Sequence, residues 1–271
     1  MKLVVTEKND AAQKIADLLG VKKPKADKVY STPVYRFDVD GEEWVTIGLR
    51  GHILEPDFAP TMVYKKRGGW QGITEEGETL PAELPASLPK PPFKKKKPFT
   101  EDGVELKSWK MDALPYLVYA PINKLPKEKE IIRSLKNLAK KADSVIIATD
   151  FDREGELIGS DALSCIQEVN PTAPVSRAAT RRSRKRRSRT RRQPLELDVN
   201  LASAGASRQD IDLIWGAVLT RYLTLVKFAG YGNVRSSGRV QTPTLALVVA
   251  RERERLAFVP EDYWVIRGAF G

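Results

Sequence analysis

Apolar positions along this chain switch between two rhythms. Residues 2–5, Lys-Leu-Val-Val, form a short run of buried-strand type. Residues 10–20 follow, with Ala12, Ile15, Ala16 and Leu19 at helical spacing and Gly20 as a stop. A short strand feeding a helix is a βα unit. Residues 34–48 alternate on either side of Asp40-Gly41, which is a hairpin signal. Residues 127–142 place Ile131, Leu135 and Leu138 on one helical face. Residues 144–149, Ser-Val-Ile-Ile-Ala-Thr, then predict a buried strand, and 155–169 a helix. Strand and helix in alternation imply an α/β fold with a parallel sheet.

Elsewhere the rhythm changes. From 55 to 108 proline is frequent and apolar periodicity poor, so this stretch is expected to be a loop-rich insertion, with the lysines at 94–97 on a solvated loop. Residues 207–229 and 242–258 read as helices joined by Gly-Tyr-Gly-Asn-Val-Arg-Ser-Ser-Gly-Arg-Val-Gln. Residues 262–271 begin a strand pattern. Trp109 and Trp215 are expected in the core. The organisation expected is an α/β domain over 1–175, a basic linker over 176–194, a mainly α-helical segment over 195–260, and the start of a further unit over 261–271.

Composition narrows the class. The 271 residues are 41% hydrophobic and 30% charged, as in a globular chain. No apolar run approaches the roughly 20 residues of a membrane span, and the N-terminus lacks a signal-peptide pattern. A single cysteine, Cys165, precludes an internal disulfide and fits a reducing compartment, so a cytoplasmic location is expected. The net charge of +11 looks like a nucleic-acid signature, but residues 177–192 hold ten of the 46 Lys and Arg. The other 36 nearly balance the 35 acids. The global charge is therefore a property of one short run.

The chemistry sits at the end of the strand 144–149. Asp150, Asp152 and Glu154 follow it at alternating positions. In an open parallel sheet, ligands bind beyond the carboxyl ends of the strands. Clustered carboxylates repel one another unless a cation bridges them, and hard oxygens with room for water suit Mg²⁺. Glu7 follows the first strand at the equivalent edge and could join them. A plainer reading has the acids solvated at a helix N-terminus, favoured by its dipole. The spacing also overlaps an EF-hand loop, but that loop needs a helix before it, and Ser-Val-Ile-Ile-Ala-Thr is β in character.

The Thr-Glu-Lys-Asn stretch of 6–9, with Asp150, Asp152 and Glu154 in a D-x-D-x-E pattern, resembles the Toprim domain. Residues 207–225 and the Ser-Gly-Arg-Val-Gln-Thr-Pro-Thr-Leu of 237–245 resemble the helical DNA-binding region of type IA DNA topoisomerases, particularly archaeal ones. Gly51-His52 matches an early motif of that family. The resemblance implies a Toprim α/β domain followed by helical DNA-binding segments, Mg²⁺ as cofactor, and single-stranded DNA as partner. It implies that Asp150, Asp152 and Glu154 hold the metal. Glu7 would act as acid/base at the scissile phosphate, with Lys8 stabilising charge there. Ser236, Arg239, Gln241 and Arg208 would grip the DNA backbone, which gives affinity without sequence preference. His52 and Asp212 would organise the site, and a monomer is expected. Alternatives are a Toprim primase or nuclease, and a non-catalytic basic DNA-binding protein driven by the arginine run.

Two features depart from the family pattern. None of the eight tyrosines is followed by x-Arg-Thr, the setting of the family's nucleophile. The 271 residues are accordingly expected to bind metal and DNA without cleaving. The arginine run stands where the family has a strand and helix; it reads as a basic linker or a compensated frameshift. Ten like charges cannot pack as a strand, so one sheet-edge element is expected to be missing or poorly ordered.

Overall fold

The computed structural model describes residues 1–178, 196–227 and 233–271. Its centre is a six-stranded sheet. Strands β1 (Lys2–Thr6), β4 (Glu42–Gly48), β11 (Ser144–Ile147) and β12 (Val175–Arg177) run parallel, and β2 (Lys25–Val29) and β3 (Thr32–Val39) complete one edge antiparallel. The order is β12-β11-β1-β4-β3-β2. The Asp40-Gly41 hairpin forms as the sequence indicates, with φ of +53° and +83° at its two central residues, as the tight turn requires.

Helix α1 (Asn9–Leu19) leaves β1 directly and buries Ala12 and Ala16. Helices α3 (Lys129–Ala139) and α4 (Arg153–Gln167) pack together, and their apolar faces close the core. Leu3, Val5, Val45, Ile47, Leu135, Leu138, Val145, Ile147, Ile158 and Ile166 meet there, each almost wholly shielded. At roughly 1.5–3 kcal/mol for each such side chain, this cluster is the main hydrophobic anchor of the sheet.

The stretch 55–108 carries short strands among its loops, with 83–102 outside any named strand. It folds as β5 (Leu54–Phe58), β6 (Thr61–Lys65), β7 (Gly69–Ile73), β8 (Thr79–Ala82) and β9 (Gly103–Glu105). Four of these make an antiparallel sheet in the order β8-β7-β6-β9, and β5 pairs with β10 (Ile122–Pro126). A second core supports this insert: Met62, Trp70, Val104, Leu106, Tyr116 and Leu117 are buried together. Tyr116, on the short helix α2 (Leu114–Leu117), donates its hydroxyl to Pro89 O at 2.8 Å. The lysines at 94–97 are exposed, as expected of a solvated loop.

Helix α5 (Val199–Lys227) starts eight residues earlier than apolar spacing indicates and runs for 29 residues, about 44 Å at 1.5 Å per residue. One end packs on α4: a Cβ at Gly205 would meet Arg153 O at 2.6 Å. Further along, Leu213, Ile214, Ala217, Val218 and Leu225 pack against the insert's core. Arg221 fastens this interface by donating to Leu106 O at 2.6 Å and lying over the Trp109 ring at 5.4 Å. Helix α6 (Gln241–Ala257) buries none of its residues.

Two further expectations are corrected. Trp109 and Trp215 are not core residues; they are 40% and 49% exposed, Trp109 because its ring is the platform for Arg221. Residues 258–271 form no strand and are exposed, with no neighbouring strand among the described residues to pair with. The strand that leads into the arginine run is present: β12 pairs in parallel with β11 and its last residue, Arg177, opens the run, while the element expected to be missing falls on the run's later residues. A buried countercharge on Glu156 makes the pairing of β12 possible. The rest of the basic segment falls on residues 179–195, outside the described residues.

Candidate active site and nucleic-acid interface

The parallel pairing of β1 with β11 sets Val5 opposite Ile147, and Ala148 N–H donates to Val5 O at 2.7 Å. Glu7 and Asp150 therefore leave adjacent strands at the same sheet edge. Close packing shapes both exits. A Cβ on Gly48, at the end of β4, would meet Asn9 N at 2.5 Å, so glycine lets α1 start against the sheet. A Cβ on Gly155 would meet Asp150 O at 2.1 Å, so glycine lets the acid loop fold back on α4.

Glu7, Lys8, Asn9, Asp10, Arg50 and Gly51 line a cleft of about 290 Å³ at this edge. Lys8 Nζ lies 3.5 Å from Glu7 Oε1. Arg50 and Gly51 have φ of +61° and +95°, and Gly51 N–H donates to Glu7 O at 3.1 Å, turning the chain around the cleft. Arg50 adds a second cation beside Lys8 that motif reading missed. The Arg-Gly pair before His52 was the only signal for it.

The acids have different surroundings. Asp150 and Asp152 are exposed. Asp152 caps α4, its Oδ1 accepting from Gly155 N–H at 2.8 Å, the ordinary N-cap arrangement. Glu154 has both oxygens engaged. Arg208 Nη1 donates to Oε1 at 2.6 Å, and His52 Nε2 lies 3.0 Å from Oε2. Gln209 Nε2 is 3.3 Å from His52 Nδ1. His52 thus stands between the acid loop and α5.

This donor set can be tested against Mg²⁺. Its chemistry fits, since Asp150, Asp152, Glu154 and Glu7 offer hard carboxylate oxygens at one edge. Among the described residues, however, no three His, Cys, Asp or Glu side chains are gathered closely enough to enclose a metal. Glu154 is held by Arg208 and His52 and Asp152 Oδ1 by Gly155 N–H, so the aspartate oxygens open to a cation are those of Asp150 and Oδ2 of Asp152.

Behind the acids lies a pair that the sequence did not reveal. Arg177 and Glu156 have side chains 1% and 0% exposed and meet at 2.6 Å. Arg177 also donates to Ile147 O at 3.2 Å, Ala178 O at 2.7 Å and Asp150 O at 2.9 Å. Glu156 Oε2 accepts from Asp198 N–H at 3.1 Å. One buried ion pair thereby joins β12, the backbone of Asp150, α4 and the segment entering α5. A second buried acid, Asp161, bonds Lys124 of β10, and burial pushes its carboxyl above the usual range.

Polar contacts continue along α5. Arg208 Nε is 3.8 Å from Asp212 Oδ2 one turn on. Arg239 grips Asp212 with both arms, at 2.6 and 3.1 Å. This holds the Asp212 carboxyl below the ordinary range and raises the guanidinium. Ser236 Oγ donates to Gln241 Oε1 at 3.2 Å. The segment is pinned to α5 by Arg235 N–H on Thr224 Oγ1 and Ser237 N–H on Thr220 Oγ1, at 2.9 and 3.0 Å. Glu154, Arg208, Asp212 and Arg239 thus form one continuous chain of contacts, with Ser236 and Gln241 beside it. Glu7 and Lys8 lie on the neighbouring strand exit, and no hydrogen bond or ion pair among the described residues ties them to this chain.

Comparison with known proteins agrees with this architecture. The Toprim domain profile matches residues 2–181, and a DNA topoisomerase profile matches residues 196–271. The chain belongs to the type IA DNA topoisomerase family. The DNA topoisomerase 1 of Archaeoglobus fulgidus is 37% identical over 99% of the chain and 34% of its own length. That of Thermoplasma acidophilum is 32% identical over 99% of the chain and 29% of its own length. That of Pyrococcus horikoshii is 31% identical over 100% and 34%. The chain therefore spans about a third of the length of these curated relatives. No described helix is long and apolar enough to cross a membrane.

Proposed function

We propose that this chain supplies the metal- and strand-binding half of a type IA topoisomerase site, which transiently cleaves and rejoins one DNA strand. The observation that carries this reading is the unbroken run of contacts from the acid loop through Arg208 and Asp212 to Arg239. A row of groups able to bind phosphate thus starts at the carboxylates of the strand ends. Asp150 and Asp152 would hold Mg²⁺, with Glu154 joining once Arg208 turns to a phosphate. The metal would supply positive charge beside the scissile phosphate.

The chain's own residues have distinct tasks on this reading. Lys8 and Arg50 would draw the phosphate into the cleft and oppose the charge that develops on it. Glu7, largely covered there with its side chain 18% exposed, would move a proton to or from the departing 3′ oxygen. Ser236, Arg239, Gln241 and Arg208 would hold the backbone of a single strand without reading bases. His52 would orient Glu154. None of the eight tyrosines has the family's x-Arg-Thr setting, so the 271 residues would bind without cleaving.

Fluorescence anisotropy of a labelled 20-nucleotide strand, with and without MgCl₂, tests this. Binding that Mg²⁺ strengthens in the natural chain but not in Asp150→Asn/Asp152→Asn, and that Arg239→Ala weakens, supports the reading. A primase or nuclease would instead extend or nick the strand with these residues alone. A non-catalytic basic protein would bind equally well in all the variants.

A further inference from the structure

We infer that one edge of the insert is a second contact surface for nucleic-acid phosphates, separate from the acid site. The inference rests on the DNA-binding reading above and extends it. Two basic segments separated in sequence, 65–67 and 90–97, converge there. Tyr64 of β6 pairs across the ladder with Trp70 of β7, and the next residues are Lys65, which ends the strand, and Lys66 and Arg67 in the connecting turn. Lys90 Nζ lies 5.5 Å over the Tyr64 ring. Phe93 stacks on Trp70 at 6.5 Å, and the four lysines of 94–97 follow it immediately. All eight cations are exposed.

Three acids accompany them at this edge: Glu83, which follows the Ala82 paired with Trp70, and Glu101 and Asp102, both of which are engaged. Glu101 is bound by Lys95 at 3.0 Å, and Asp102 accepts from Thr100 Oγ1 at 3.1 Å. The acids of the β7–β8 turn, Glu75, Glu76 and Glu78, lie at the opposite end of β7, where Lys107 bonds Glu75. Five residues of strand separate the two ends, about 14 Å at 3.4 Å per residue, more than a Debye length at physiological salt. The insert is therefore polarised. Its basic edge holds mutually repelling cations that gain most from a dense polyanion.

The aromatic rings beneath this edge are turned inward, with Trp70 only 4% exposed and Tyr64 and Phe93 packed on its cluster. The edge therefore offers charge without a base-stacking platform. That fits backbone contact with DNA flanking the strand held at the acid site, single- or double-stranded, and no sequence preference.

The test measures the salt dependence of DNA binding by the full chain. Three proteins are compared: the natural chain, Lys94→Gln/Lys95→Gln/Lys96→Gln/Lys97→Gln, and a control with equal charge removed from the far sheet edge, Lys22→Gln/Lys23→Gln/Lys25→Gln/Lys28→Gln. Circular dichroism melts confirm that each is folded. The basic segment 179–195 is common to all three, so it cancels. The expected result is a slope of log K against log [salt] reduced by about 3 in the first variant on single strands, at about 0.7 for each phosphate no longer neutralised, and little changed in the control. Equal reductions in both variants would overturn the inference, since net charge alone would then explain them. So would loss of binding to anionic lipid vesicles with DNA binding intact. A natural chain that binds no DNA would remove the parent reading as well, whereas normal binding with an unaltered slope would remove this inference alone.

Discussion

Replacing Glu156 with glutamine tests the structural core of the site with the smallest change in shape. The natural pair is wholly enclosed, and Arg177 is oriented by the carboxylate at 2.6 and 2.8 Å while spanning three carbonyls. A glutamine side chain would fill the same space but leave a buried guanidinium without a countercharge. Removing one partner of such a pair costs about 3–5 kcal/mol, or roughly 6–20 °C in melting midpoint at about 2–4 °C per kcal/mol for a domain of this size. The double variant Arg177→Met/Glu156→Leu removes both charges. It should recover part of the loss, but not all, because the carbonyls of Ala178 and Asp150 lose the Arg177 donor, while Ile147 O keeps the Ala178 N–H at 2.8 Å. Thermal melts followed by far-ultraviolet circular dichroism measure both. A midpoint for Glu156→Gln within about 2 °C of the natural chain, less than 1 kcal/mol on the same scale, would refute the argument that an enclosed countercharge keeps Arg177 in the sheet edge. A double variant worse than the single would refute it too.

Neighbouring side chains give further expectations. Gly155→Ala places a Cβ 2.1 Å from Asp150 O; the acid loop must shift, and Mn²⁺ affinity measured by paramagnetic resonance should fall at least several-fold. Arg208→Ala releases one oxygen of Glu154 and should tighten Mn²⁺ binding while weakening single-strand binding, with both titrated on the same preparation. Arg221→Met loses the bond to Leu106 O and the stacking on Trp109, at a cost of about 1–3 kcal/mol, read from urea unfolding. Asp212 has its folded pKa held below the unfolded value of about 3.9 by Arg239. Its pairing therefore contributes fully above the unfolded pKa and is lost as pH falls through the folded one. The melting difference between the natural chain and Asp212→Asn should be constant above about pH 5 and shrink below about pH 4.

The parallel sheet and its acids were legible because long periodic runs encode them. Residues 3–5 and 145–149 are unbroken β-branched or aliphatic runs, and the helices after them keep strict spacing, so the edge holding Glu7 and Asp150 could be read directly. The insert was illegible for the opposite reason. Its strands are three to five residues long, proline and glycine interrupt them, and its core joins Met62, Trp70, Val104 and Tyr116 from separated segments that no local window connects. Glu156 and Arg177 escaped notice because residue type assigns such side chains to the surface; only the fold brings them together. Trp109 and Trp215 show the converse, as large apolar rings left partly exposed where they meet Arg221 or line a groove beside Val118.

The most direct measurement is a Mn²⁺ titration of the chain by electron paramagnetic resonance, repeated for Asp150→Asn/Asp152→Asn. The account predicts a bound ion in the natural chain that disappears in the variant while its melt is retained. Identical Mn²⁺ binding in both proteins, or none in either with DNA present, would contradict the claim that the strand-end carboxylates hold a metal against a DNA phosphate.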